Sequence, residues 1–419
     1  MVLRVRPAAP PPVRGNRCSG EDYRARAAQP HNPGVPLPEI GPEQRRARLA
    51  TRHRLAAAHR TDDVGAIVDD LVALHASDPV TVYLSAATRM RTPALAPIEA
   101  ALYEDRTLLR HHAMRRTLWV FGHGNARLAH HGATVDVAAV QLRNLLKQLD
   151  AAGVPDPAAW LARARATVHD LLAAEGPMPA RDVGTRLPEL AIPVPIGDAT
   201  VAAHSRVLLI MGFDGQVLRA RPTGTWINGQ YRWAAADAWV PGGIGAALEK
   251  QVAATGLAAA YLRAFGPASR EDLKWWAGWT VATTKRALAD VGAVETTAGY
   301  VLPDDLAPVP DPGPSVALLP GLDPTTMGWK SRDWYLAPEL VPQLFDRNGN
   351  GGPSIWADGR IVGGWVQRKD GTIATELLVD AGTEARDAVD EAAHVLEKLL
   401  GDVRFTVRYP APMQARLLA

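Results

Sequence analysis

Residues 71–79, LVALHASDP, place a histidine, a serine and a carboxylate close together as His75, Ser77 and Asp78. An imidazole and a hydroxyl spaced by one residue suit the holding of a water molecule, since each can donate and accept a hydrogen bond near neutral pH. The carboxylate of Asp78 adds a negative field beside them. Upstream, Val64, Ile67, Val68, Leu71 and Leu74 recur at helical spacing. Thr61 serves as N-cap and Asp62 and Asp63 fall in the first turn, so the pattern predicts a helix over 62–74 with one buried face. Pro79 pushes Asp78 out of the α region, and the chain is expected to leave the helix in an extended form. Side chains alternate in an extended segment, which points His75 and Ser77 one way and Ala76 the other. The plainer alternative is that His75 and Ser77 only cap the last carbonyls of the helix.

The chain of 419 residues is long enough for two or more domains, and 47% hydrophobic with 21% charged residues is a globular composition. No run of 18 apolar residues occurs, so no membrane span is expected. The single cysteine, Cys18, excludes a disulfide framework and fits a reducing cytoplasm. No apolar export signal stands at the N-terminus. Net charge is only +2, but Arg far outnumbers Lys, and residues 1–60 carry twelve Arg against four acids. Arg is the better residue for phosphate and base-edge contacts, although a GC-rich genome gives the same enrichment.

Residues 1–42 are Pro-rich and without apolar periodicity, which predicts a disordered tail. Residues 43–59, 62–74 and 95–105 read as helices, and HHAMRRTLWVF over 111–121 as a strand carrying Arg115 and Arg116. A weak repeat follows at an offset of 90 residues, Gly176-Pro177 with Asp182 and Gly266-Pro267 with Asp272. Helices over 159–175, after Asp182 and over 199–211 lead to a hairpin over 217–233. Helices over 246–264, after Asp272 and after Thr280 lead to a hairpin in VETTAGYVLP. Three helices closed by a hairpin make a winged helix-turn-helix, and tandem copies point to a nucleic-acid groove. The last region differs. Asp358-Gly359 and Asp370-Gly371 are hairpin turns, Gly363-Gly364 suggests a bulge, 384–400 is an amphipathic helix, and VRFTVRY is a final strand. The expected class is α+β, with two or three winged-helix units (43–150, 151–245, 246–312) and a C-terminal β-barrel-like domain (313–419), a small curled sheet or barrel with a helix on it.

GLDPTTMGWKSRDWYL, NGNGGPSIWADGRIVGGW and the strand ending at Tyr409-Pro410 resemble the winged-helix DNA glycosylases of the AlkZ/YcaQ family. HHAMRRTLWVF and HSRVLLIMGFDGQVLRARP are also similar to it, so the resemblance covers about residues 43–415. It implies three winged-helix units and a β-barrel around a channel for double-stranded DNA. It also implies removal of N7-alkylated purines, bulky adducts and interstrand crosslinks included, in base-excision repair or antibiotic self-resistance. The family's active-site signature, Gln-x-Gln or Gln-x-Asp at a helix end, falls on His75, Ala76 and Ser77, so both polar positions differ. On this reading His75, Ser77 and Asp78 are catalytic. The alternative is a lesion- or DNA-binding relative without turnover, or a scaffold for protein contacts.

Lys330 and Arg332, spaced to share a face, either grip phosphates or end a strand in solvent. Of Arg115 and Arg116, one is expected to reach DNA. Arg360 either enters a groove at a hairpin tip or sits on a plain turn. Trp226, Trp275, Trp276, Trp329, Trp334, Trp356 and Trp365 read as core. The histidines at 111, 112, 123, 130 and 131 lack metal-ligand spacing, and NGNGG lacks the end of a phosphate loop, so no metal or cofactor is expected. No Lys lies near position 75 in the sequence, which predicts a monofunctional enzyme with no Schiff-base step. A monomer is expected.

Overall fold

A computed structural model describes residues 36–419. The tail reading for residues 1–35, with Cys18, lies outside the described residues. The expected tail ends earlier than residue 42. Ile40 is buried, its amide donates to Thr297 Oγ1 at 3.1 Å, and Pro38 accepts from the Thr297 amide at 3.0 Å. The first helix then starts at proline, over Pro42–Arg52.

The helix expected over 62–74 is shorter, Val64–Asp70. Its N-cap is Asp63, whose carboxylate accepts from the Ala66 amide at 3.0 Å; Thr61 instead accepts from the Asp63 amide at 3.3 Å. Val72 in the left-handed region (φ 64°) ends it, a conformation that costs a β-branched residue strain and leaves no trace in hydrophobic spacing. The chain straightens into strand β1, Leu74–His75, and Asp78 is extended (φ −109°, ψ 119°), as the following proline demands. A new helix begins there, Pro79–Ala87, with Asp78 as its N-cap and Pro79 at its first position.

The single strand expected over 111–121 is two strands. β2, Leu108–His112, and β3, Leu118–Gly122, fold back on each other, and the sheet order is β1-β3-β2, all antiparallel. The turn between them is closed by Thr117 donating to Met114 at 3.2 Å, with Arg115 (φ 57°) and Arg116 (φ 63°) both left-handed. That geometry matches the twist of a hairpin but normally uses Asn-Gly. Two arginines there carry backbone strain, and no turn signal was available to read.

Helices Pro157–Glu175 and Ala180–Arg186 form as expected. An unexpected hairpin, β4 (Pro193–Ile196) with β5 (Ala199–Ala202), takes the start of the next helix, which shortens to Ala203–Phe213. Strands β6 (Val217–Pro222) and β7 (Tyr231–Ala235) close this part. Helices Lys250–Phe265, Arg270–Ala277 and Val281–Asp290 lead to hairpin β8 (Val294–Thr296) and β9 (Gly299–Val301). The repeated aspartates serve different ends. Asp272 completes a capping box with Ser269, whereas Asp182 pairs with its neighbour Arg181.

In the C-terminal region β10 (Val316–Leu319), β11 (Ser354–Ala357), β12 (Arg360–Gln367) and β13 (Ile373–Leu377) lie in linear order. The first and last strands do not pair, so the sheet is open and the expected barrel does not close. The bulge falls beside the glycine pair: Ile355 faces Gly363 while Trp356 faces Ile361, leaving Val362 extra. Helix Thr383–Leu400 packs Val389, Ala393, Leu396 and Leu400 over Ile355, Val362, Trp365 and Ile373. The expected last strand is absent. Residues 403–409 keep alternating exposure, but their backbone is held by the Gln367 side chain, which bonds Val403 O at 2.9 Å and the Phe405 amide at 3.1 Å.

The helix that starts at Asp78 is pinned to this region at its other end. Arg89 is fully buried and bonds Asp323 through two guanidinium nitrogens at 2.9 and 2.8 Å, with Ser85 Oγ on the same carboxylate at 2.6 Å. Thr81 adds a bond to Gly321 O at 2.6 Å. GLDPTT is therefore a clamp on the helix that carries the candidate site. Asp323→Asn is expected to destabilise the fold by roughly 3–5 kcal/mol, because it leaves a buried guanidinium without its charge partner. A urea midpoint unchanged from wild type would contradict this.

Candidate active site

Strand β1 is only two residues long, yet its register is fixed: His75 lies opposite Trp119, and the Ala76 amide donates to Leu118 O at 2.8 Å. The imidazole packs on the Trp119 indole, ring centres 4.8 Å apart. That indole is itself held by a bond from its nitrogen to Met114 O at 3.3 Å and by the edge of Trp276 at 6.1 Å. Burial, and then the charge of Arg115, push the His75 pKa down to about 3, so the ring is neutral at physiological pH.

The Ser77 amide approaches His75 Nδ1 at 3.4 Å, a long bond that makes Nδ1 the acceptor and leaves the proton on Nε2. Neither His75 nor Ser77 caps a carbonyl of helix Val64–Asp70 among the described residues. The Ser77 hydroxyl makes no hydrogen bond among them and is free to hold another molecule. Asp78 caps the next helix through Oδ1 to the Val80 amide at 3.1 Å. Burial raises its pKa, opposed by the amides of Val80 and Arg408 and by the Arg408 guanidinium.

Of the five arginines and lysines proposed from sequence, Arg115 is the charge that acts on His75, and Arg332 shares an indole with it. Arg115 lies over Trp275 with its guanidinium carbon 4.3 Å from the ring centre. Arg332 lies 5.6 Å from the centre of the same ring and 4.6 Å from that of Phe345. Neither arginine forms an ion pair among the described residues. Lys330 is exposed, and its loop is tied down by Asp272, whose Oδ1 accepts the amides of Lys330 and Ser331 at 2.9 Å each. Helix Arg270–Ala277 thus sets the WKSRD loop beside the β2–β3 hairpin, whose Arg115 shares the Trp275 ring with Arg332.

Arg116 is exposed beside Arg115 and bonds to nothing among the described residues. Arg360 is exposed on β12 beside Arg46 of the first helix, and no described contact joins it to the His75 turn. Sequence reasoning missed Arg408. Its guanidinium donates to Ser77 O at 2.9 Å across 331 residues of chain, and no local motif marks it.

The AlkZ-like DNA glycosylase family model matches residues 68–399. No curated protein matches the chain. The fold is similar to that of the Streptomyces sahachiroi DNA glycosylase AlkZ, with a TM-score of 0.67 at 19% identity, over 88% of this chain and 98% of that one. The chain belongs to the AlkZ-like DNA glycosylase family.

Proposed function

We propose that this chain is a monofunctional DNA glycosylase acting on double-stranded DNA that carries N7-alkylated purines, including bulky adducts or interstrand crosslinks. The observation that carries this reading is the His75–Asp78 turn, with a neutral imidazole beside Arg115, which shares one indole with Arg332; neither arginine forms an ion pair among the described residues. An N7-alkylated purine is cationic. When its bond to C1′ breaks, the base leaves with the electron pair and the sugar becomes oxocarbenium-like. Water then adds to C1′ and releases a proton. Ser77 Oγ and the Nε2 proton of His75 place that water, and Asp78 supplies the negative field. The cationic base makes the uncatalysed cleavage already fairly fast, so an acceleration of roughly 10⁴, about 5–6 kcal/mol, suffices.

Three tandem winged-helix units gripping the duplex are part of the same proposal. So are catalytic roles for His75, Ser77 and Asp78, and DNA contacts by Arg115, Arg116, Lys330, Arg332 and Arg360. The test is purified protein on DNA bearing 7-methylguanine or a nitrogen-mustard crosslink, followed by alkali. Strand breaks support excision. Trapping of a protein–DNA adduct by borohydride would argue against a monofunctional enzyme.

The Ser77 amide on His75 Nδ1 favours a second reading, lesion binding without turnover, since it occupies the nitrogen that would accept a proton. Tight binding with no breaks would select it.

Arg115 and Arg332 rest on one ring, so they are expected to act on the same phosphate. Arg115→Ala should weaken binding to all sequences and lower the salt slope by about one. Adding Arg332→Ala should cost less than its effect alone, because neighbouring groups sharing a partner are not additive. Fully additive losses would separate the two residues.

A further inference from the structure

The Arg408 guanidinium reaches the candidate site from the far end of the chain. It donates to the carbonyl of Ser77, the residue between the imidazole and the carboxylate, at 2.9 Å. Its own backbone amide and its charge both act on Asp78. It is exposed and forms no ion pair within 4.0 Å among the described residues. Its other contact is with the loop between β6 and β7, where a Cβ on Gly229 would stand 3.1 Å from Nη1, so the arginine lies over a position with no side chain. That loop also carries Trp226, packed 4.8 Å from Tyr83 of the helix Asp78 caps.

The segment bearing Arg408, residues 401–410, has no helix or strand. It is fastened by the Gln367 side chain on one side and by helix Pro412–Leu418 on the other. Gln414 of that helix bonds Pro353 O at 2.9 Å and is fully buried. The C-terminal sheet therefore holds the segment in place. The turn itself has few restraints of its own. Its strand is two residues long, and the Ser77 amide has only a 3.4 Å contact to His75.

We infer that Arg408 is a positioning residue for the reaction: it fixes the Ser77 carbonyl, and so the angle between the His75 ring, the Ser77 hydroxyl and the Asp78 carboxylate, from the C-terminal region. This inference rests on the hydrolytic reading of the His75–Asp78 turn. A misplacement of about 1 Å in such a constellation can lower a rate on the order of 10²-fold, so a single bond from outside the turn is sufficient to matter. Four groups act on Asp78: the Val80 amide, the Arg408 amide and guanidinium, and Tyr231 of β7. His75 stands on the other side of Ser77, with Arg115 as its nearest charge.

The experiment compares wild type with Arg408→Ala and Arg408→Lys in single-turnover excision of 7-methylguanine, at saturating protein and across pH. The alanine variant is expected to lose roughly 10- to 100-fold in rate with DNA affinity within about threefold of wild type. Without the guanidinium the Asp78 carboxyl holds its proton to higher pH, so the acid limb of its profile should move up. Lysine keeps the charge and one donor and should restore much of the rate and the position of that limb. A wild-type rate in Arg408→Ala overturns the inference. So does weaker binding with a salt slope lower by about one and an unchanged saturated rate, which would make Arg408 a phosphate contact only.

If wild type itself excises nothing, the hydrolytic reading fails, and the hold of Arg408 is still read by amide hydrogen exchange over residues 74–84. Faster exchange in Arg408→Ala, with wild-type exchange in Arg408→Lys, upholds that hold. Unchanged exchange overturns it.

Discussion

Alanine at position 75 is expected to cut the single-turnover excision rate about 10²-fold while leaving DNA affinity within about threefold. The size follows from what the ring does. The whole acceleration asked of the site is roughly 10⁴, and one positioned donor or acceptor supplies about half of that on a logarithmic scale. Affinity is expected to hold because the arginines over Trp275 belong to other segments: Arg115 sits on the β2–β3 turn and Arg332 on the loop fixed by Asp272.

Glutamine is the informative replacement. It is neutral at every pH and offers a donor and an acceptor. His75→Gln should stay within about tenfold of wild type, the loss coming from its freer side chain rather than from missing chemistry. The pH profile gives a second check. The imidazole titrates at about 3 in the folded protein, so the wild-type rate should show no limb near 6.5. A limb there that vanishes in His75→Gln would show that the ring is charged in part of the working range, and the water-placing role described above would have to be rebuilt around an imidazolium.

Much of the fold was legible because it follows hydrophobic spacing. The three helices and hairpin over residues 250–301 were placed nearly as found. The bulge beside Gly363 and the turns at Asp358 and Asp370 were readable from glycine chemistry. What escaped depends on partners distant in sequence or on strained backbone. The β2–β3 turn puts arginines where Asn-Gly would be expected, and the end of helix Val64–Asp70 depends on a left-handed valine. The final strand was expected because VRFTVRY alternates, and its backbone is instead satisfied in part by one glutamine side chain. The candidate site was half legible. His75, Ser77 and Asp78 stood together in the sequence, and the proline after Asp78 gave its extended backbone. The capping duty of Asp78 and the tautomer set by the Ser77 amide are local contacts two residues apart that went unread, since the helix was expected before Asp78 and not after it; the reach of Arg408 is a tertiary fact with no local signal.

The fold should also be acid-labile well above the carboxylate range. Five imidazoles are buried: His53, His111, His112, His130 and His204. His53 lies between Thr325 Oγ1 at 2.8 Å and Ala264 O at 3.1 Å. His111 meets His130 at 3.2 Å, and His112 is enclosed by Phe213 and Trp233. Burial, the main cause in each case, lowers His53 and His112 to about 3 and His130 to about 4, and holds His111 well below its ordinary value. In the unfolded chain each titrates near 6.5. Between those values the unfolded state takes up protons that the folded state refuses, so stability falls as pH falls from 6.5 towards the folded values. At pH 5 an imidazole that titrates near 3 or 4 in the fold contributes a loss of about 2 kcal/mol, so His53, His112 and His130 together weigh about 6 kcal/mol against the stability of a typical domain, about 5–15 kcal/mol. The thermal midpoint is therefore expected to drop steeply between pH 6.5 and 5. His112→Phe, which keeps an aromatic ring between Phe213 and Trp233, should make that drop shallower by about one proton. A midpoint flat across this window would mean that the buried imidazoles gain protons without opening the fold, and the packing around them would have to be looser than the contacts above describe.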